Sequence, residues 1–223
     1  MPGGDAAIRE PWRMAISHLY RAFGNDYNKL DLQILHEHAD QLGIIQQMID
    51  KSINSPLTSS CGRLFDAVAA LLGLRQTVSF EGQAAAELEM LLEPGNTDNS
   101  PYPFEIIKKD DEPWLLPVTP IINGLVHDIM ANILPRDISR RFHNTLAALF
   151  TRTCKEIRVQ NGINTVVLSG GVFQNLTLLK QLKQNLENLA FAVYAHEQVP
   201  SNDGGISLGQ AIAGRAMFER LKD

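Results

Sequence analysis

A chain of 223 residues can bury a good core, as one large domain or two small ones. A hydrophobic content of 44% and a charged content of 20% suit a soluble globular protein, and a net charge of −5 lacks the basic excess of a nucleic-acid binder. The two cysteines, Cys61 and Cys154, form no CxxC pair, which argues against a disulfide framework or a zinc ribbon. The apolar runs fall short of a membrane span, and the amino terminus lacks a basic-then-apolar leader. A cytoplasmic protein, or a piece of one, is expected.

Taken in order, Pro2 to Asp5 (PGGD) is loop chemistry. Trp12, Ile16, Leu19 and Phe23 recur at helical spacing, and Gly24-Asn25 ends that helix. Leu42, Ile45, Met48 and Ile49 suggest a second helix, closed by Asn54-Ser55-Pro56. Ser59 and Ser60 are plausible N-caps for a third, which carries Cys61, Leu64, Phe65, Val68, Leu71 and Leu72 on one side and stops at Gly73. After a brief apolar piece, Val78 to Phe80, an alanine-rich helix is expected from Gln83 to about Leu92. Residues 1–95 therefore read as mostly helical.

Pro94-Gly95-Asn96, with Asn99-Ser100-Pro101 close behind, reads as a domain boundary. Beyond it, Phe104 to Ile107 and Trp114 to Val118 flank the charged KKDDE and predict a hairpin. Pro120 opens a helix near Ile121 to Ile133. A longer helix follows Pro135, with Ile138, Phe142, Leu146, Leu149, Phe150, Cys154 and Ile157 facing inward and Gly162 as its cap. A strand at Val166 to Leu168 then leads through Gly170-Gly171 into a helix bearing Phe173, Leu176, Leu179, Leu182 and Leu186. A strand at Phe191 to Tyr194 and a last helix from Gly204 or Gly205 complete residues 96–223, which read as an α/β layer.

Two turns in that layer carry the candidate chemistry. At Gly170 and Gly171 a strand gives way to a helix; paired glycines there let backbone approach a ligand, although for one glycine pair on its own a plain strand-to-helix turn is the better reading, and a second glycine turn downstream shifts the balance. At Asp203-Gly204-Gly205 the pattern repeats. In an open α/β sheet, ligands lie outside the carboxyl ends of the strands, so both turns would face one crevice. Asp203 could hold a metal ion that shields phosphate oxygens, or could act only as an N-cap. Gly205, Gly209 and Ala213, four apart, would let the last helix pack closely on the sheet. No GxxxxGK[ST] occurs and no GxGxxG follows a strand, so neither common nucleotide fingerprint is present. By analogy, paired glycine turns at two strand ends fit the phosphate cradle of actin-like ATPases.

Five long strings resemble the HypF family: Pro2 to Ala15, Asn54 to Leu74, Phe80 to Glu89, Leu168 to Asn175 (LSGGVFQN) and Pro200 to Ala211 (PSNDGGISLGQA). The resemblance runs the length of the chain but covers only the carboxyl-terminal part of that family's architecture, the back of its TsaD-like domain. Met1 before PGGD looks like a start placed within a longer protein. The resemblance implies an actin-like ATPase (ribonuclease H-like) lobe from about residue 96, preceded by a mostly helical nucleotide-flanking region. It also implies an ATP-dependent carbamoyltransferase of nickel–iron hydrogenase maturation. In that reaction the carbamoyl group of carbamoyl-adenylate passes to the terminal cysteine of HypE, for cyanide ligand synthesis. HypE and the preceding domains of the same protein are the implied partners, and ATP with a divalent metal the implied cofactors. Neither nucleic acid nor membrane is expected as a partner.

Carried over by the same resemblance, Gly170 and Gly171 match the glycines that approach phosphate, with Asn175 beside them. Asp203 matches the metal-holding aspartate. Asp66 resembles the acidic residue near the ribose, although an exposed helix carboxylate would look the same in sequence. Gly82 resembles a glycine of that pocket, with Glu81 and Glu87 as companions. The family's other metal ligands, two histidines four apart, have no counterpart. His36 and His38 are two apart and point to different sides of a helix, as surface residues, and His18, His127, His143 and His196 are isolated. One carboxylate alone holds a metal poorly, so little metal and weak nucleotide affinity are expected of the isolated chain. Cys61 and Cys154 read as core residues, with a lowered pKa conceivable for Cys61 at a helix start. Against the enzymatic reading stand a non-catalytic binding fragment, a tRNA-modifying relative and a sugar-kinase lobe. The long specific strings and the acidic charge oppose the tRNA reading, and a sugar-binding acid is missing.

Overall fold

The computed structural model describes residues 1–92, 100–109 and 112–220. They form two compact units, Met1–Leu149 and Phe150–Asp223. The Pro94-Gly95-Asn96 boundary and the Asp110-Asp111 tip of the expected hairpin lie outside the described residues.

The first unit is helical: α1 (Ala6–Arg9), α2 (Pro11–Phe23), α3 (Gln33–Glu37), α4 (Ala39–Asp50), α5 (Cys61–Leu71), α6 (Gln83–Met90), α7 (Thr119–Met130) and the first part of α8 (Pro135–Asn161). Its centre is α5. The run Leu64-Phe65 and Ala67 to Leu71 is buried on every side of the helix, as an all-round apolar helix must be. Ser60 caps it by accepting the Arg63 N–H at 3.3 Å. Helix α2 packs on α5 and α7, α6 packs on α5, and the Phe65 and Phe142 rings meet edge to face at 5.0 Å. Segments after residue 100 belong to the same core. Tyr102 takes a hydroxyl on Thr145 at 2.8 Å through its N–H and gives its own hydroxyl to Asp128 at 2.8 Å. The Asp128 charge, buried here, is offset by Arg141. Tyr102 lies so close to Gly124 that a Cβ there would come within 2.6 Å of its ring.

Several expectations need adjusting in this unit. Helices α1 and α3 and the 3-10 helix Gly24–Lys29 were not predicted, because each is too short to show a period. The hairpin reduces, among the described residues, to one antiparallel bridge between Ile107 and Leu115. Helix α7 stops at Met130 and not Ile133, since Asn132 adopts a left-handed turn with φ 57°.

The second unit contains the rest of α8, β1 (Thr165–Leu168), α9 (Leu176–Asn188), β2 (Ala192–Ala195) and α10 (Ile206–Arg220). The strands pair in parallel, Thr165 with Ala192 through Leu168 with Ala195. Leu168, Leu182, Leu186 and Phe191 form the core, with Phe150, Cys154, Val166 and Leu179 against it. The opposite face of the sheet is bare: Val167 is 66% exposed and Tyr194 61%. Parallel strands are normally covered on both faces, and here one is. The predicted close packing of Gly205, Gly209 and Ala213 is not found. Every residue of α10 is exposed, and a Cβ on Gly209 would meet nothing within 4 Å. Small residues permit close approach, but they do not create the surface to approach.

Candidate functional site at the strand ends

In the second unit the two glycine turns meet. Gly170 leaves β1 with φ 112° and ψ 157°, a conformation that L side chains rarely adopt, and donates its N–H to the Ser201 carbonyl at 2.8 Å. A Cβ placed on Gly170 would enter open space, so geometry of the backbone and not crowding demands the glycine. Gly171 begins a 3-10 helix, Gly171–Gln174, and its missing Cβ would stand 3.9 Å from the Cβ of Asn202. The second turn is tightened by Asn202, whose side chain accepts the Gly204 N–H at 3.0 Å. At Gly205 a Cβ would fall 2.7 Å from the Pro200 carbonyl oxygen, so the chain can pass only as glycine.

Asp203 is exposed at the start of the 3-10 helix Asp203–Gly205. The capping role belongs to Asn202, so the N-cap explanation of Asp203 does not hold. Asn175 is buried and caps α9, its Oδ1 accepting the Leu178 N–H at 2.8 Å. Its carbonyl end is thus committed to the fold. One pair at this edge was missed in sequence. Ser169 and His196 are each the first residue beyond their strands, next to the Leu168–Ala195 rung, and Ser169 Oγ lies 2.8 Å from His196 Nε2. His196 is therefore not isolated. The serine stood in plain sight before the glycine pair, but only the strand register brings the histidine to it.

The remaining candidates lie in the first unit. Asp66 is 2% exposed, on the inside of α5, and is not the exposed helix carboxylate that its sequence equally allowed. Burial pushes its carboxyl up from 3.8 to about 6, with Arg63 opposing the shift and Glu81 adding to it. Arg63 Nη1 stands 2.9 Å from Asp66 Oδ2, but without the alignment of a hydrogen bond. Arg63 also reaches Glu81 at 3.3 Å. Gly82 precedes α6 in a left-handed conformation, φ 83°, with open space where a Cβ would be. Glu87 is held by the Arg75 guanidinium at 2.8 Å, which lowers its pKa.

A divalent metal does not fit this chain's residues alone. Among the described residues, no three His, Cys, Asp or Glu side chains gather where they could hold an ion. His38 is stacked on Trp12 at 4.0 Å and is partly buried, where a surface histidine was expected, and His143 is fully buried on α8. Burial pushes the Cys61 thiol up to about 12 and raises Cys154 as well, so the helix start does not activate Cys61. Among the described residues no helix is long and apolar enough to cross a membrane.

The sequence pattern of "Carbamoyltransferase, Kae1-like Domain, second subdomain" matches residues 1–210. Carbamoyltransferase HypF2 of Cupriavidus necator is 34% identical over 94% of this chain and 28% of its own length. Carbamoyltransferase HypF of Synechocystis is 33% identical over 95% of this chain and 28% of its own. The chain thus spans less than a third of these relatives. A crystal structure of full-length HypF in the phosphate- and nucleotide-bound form superposes with a TM-score of 0.86, at 39% identity over 98% of this chain and 28% of that one. HypF of T. kodakarensis gives 0.82 at 28% identity, over 98% and 29%. The expected Kae1-like (actin-like) α/β fold is shown by these likenesses, and the chain belongs to the HypF carbamoyltransferase family, within the second subdomain of its Kae1-like domain.

Proposed function

We propose that this chain is part of a carbamoyltransferase that moves a carbamoyl group from carbamoyl-adenylate to the terminal cysteine thiol of HypE during nickel–iron hydrogenase maturation. The observation that carries the reading is the contact between the two glycine turns, Gly170 N–H to Ser201 O at 2.8 Å, at the carboxyl ends of neighbouring parallel strands. That is where an open α/β sheet binds its ligand, and a HypF relative is known in a nucleotide-bound form. Gly170, Gly171 and Asn175 lie along this edge and would meet the adenylate phosphate. Asp66 and Gly82 belong to the first unit and are proposed as nucleotide-binding on the family likeness alone. Asp203 would contribute one ligand to a divalent metal in the longer protein, the remaining ligands coming from outside this chain. ATP is consumed in making the adenylate, in domains ahead of this one. The acceptor supplies the thiol, since both cysteines of this chain are held protonated.

A second reading has its own support. With one metal-binding carboxylate and an uncovered sheet face, the isolated polypeptide serves as a non-catalytic module that binds nucleotide, HypE or the preceding domains. The two are separated by supplying ATP, carbamoyl phosphate and HypE to the chain joined to the preceding domains, and to the chain alone. Mass spectrometry of HypE should find one carbamoyl group on its terminal cysteine in the first case. Its absence there, with HypE still captured, would leave only the binding role.

A further inference from the structure

The Ser169–His196 pair sits beside the proposed phosphate turn, and neither the fold nor the family assignment gives it a task. It is built by register. Leu168 pairs with Ala195 as the last rung of the parallel ladder, and the next residue on each strand carries a hydroxyl and an imidazole, with Oγ and Nε2 2.8 Å apart. Both residues are exposed, so no packing requirement explains them. Both stand at the strand ends, and Gly170, which follows Ser169 directly, spends its N–H on Ser201. The Ser169 hydroxyl and the His196 imidazole are the side-chain groups at the two strand ends of this edge.

We infer that Ser169 and His196 form the proton relay for the acceptor thiol, an inference that rests on the carbamoyl transfer proposed above. A thiol becomes a good nucleophile as it loses its proton, and the acceptor comes from another protein, so its base must be reachable from solvent. Hydroxyl-to-imidazole distances of this size are those of working proton-transfer pairs. The thiol S–H gives its proton to Ser169 Oγ as the serine hydroxyl proton moves to Nε2, leaving His196 as imidazolium. The sulfur forms a bond to the carbamoyl carbon, the bond from that carbon to the adenylate phosphate oxygen breaks, and the electron pair leaves with AMP. His196 then returns its proton to water.

The groups facing His196 are few. Ser169 meets it from β1, and Glu197 is its chain neighbour. Nothing charged on the neighbouring strand competes for the proton.

The test uses the chain within its longer protein, with HypE, ATP and carbamoyl phosphate, and follows transfer as a function of pH. Ser169→Ala and His196→Gln should each slow transfer about 100-fold at neutral pH. Both should approach the parent rate above about pH 9, where an ordinary thiol ionises unaided. AMP binding to the two variants, measured by calorimetry, should match the parent. Transfer at the parent rate at every pH would overturn the relay and leave the carbamoyl reading intact. A loss that alkaline pH does not restore would mean a structural role and overturn it as well. No transfer by the parent protein would overturn both.

Discussion

Asp66 shows how far a single residue depends on its surroundings. A carboxylate on the inside of α5 loses its hydration, and Arg63 one turn away returns only part of that loss, so its pKa is raised to about 6. A raised carboxyl pKa means that the folded state holds the proton more tightly than the unfolded chain. The stabilisation is therefore full below pH 3.8 and is lost as the pH rises through about 6. The change amounts to on the order of 2–3 kcal/mol. Urea titrations between pH 4 and 7 should show this fall in the parent chain, and Asp66→Asn should lack it. An identical slope in both would place the titration elsewhere. The same burial bears on a ribose-binding role, because a carboxylate 2% exposed must be uncovered before a sugar hydroxyl can reach it.

At the scale of elements, α9 is fixed at its start by Asn175. Its side chain satisfies an N–H that the helix itself cannot, and Asn175→Ala should cost about 1 kcal/mol of stability in denaturant. Asn175→Asp keeps an accepting oxygen and should retain most of that stability. It also replaces the amide with a charge that repels phosphate, so the two substitutions separate capping from ligand contact. Aspartate at this position should weaken AMP binding at least tenfold if the amide meets phosphate, and should leave it unchanged if capping is the residue's whole function. The helices with long periods and clear caps, α2, α5, α8 and α9, were legible in the sequence. The short ones were not, since α1 and α3 span at most a turn and a half and take their shape from packing.

At the scale of the molecule, each unit carries a different degree of completion. The first buries its helices around α5, while the second leaves one sheet face and all of α10 in solvent. Ile206, Leu208, Ile212, Met217 and Phe218 are all exposed on that helix, spread around its axis, so it offers apolar side chains on every side. Sedimentation velocity should therefore find concentration-dependent association of the isolated chain, and Ile212→Asp with Phe218→Asp should suppress it at least tenfold. A monomer at all concentrations would count against this. The chain spans 28% of its Cupriavidus and Synechocystis relatives, so the longer protein is where this surface should be compared.

The sequence by itself determined the kinds of the longer elements and the two turns where glycine is required. Periodicity and positive φ are local properties, written within a few residues; Gly170 is glycine for its positive φ, and Gly205 for the Pro200 carbonyl that passes close to it in the same turn. The long strings around those glycines carried the family as well. What only the tertiary structure decided is which distant residues share a place. Strand register set Ser169 against His196, and helix burial took Asp66 out of solvent. Such neighbours are chosen by pairing and packing across the chain, and spacing along it holds no record of them.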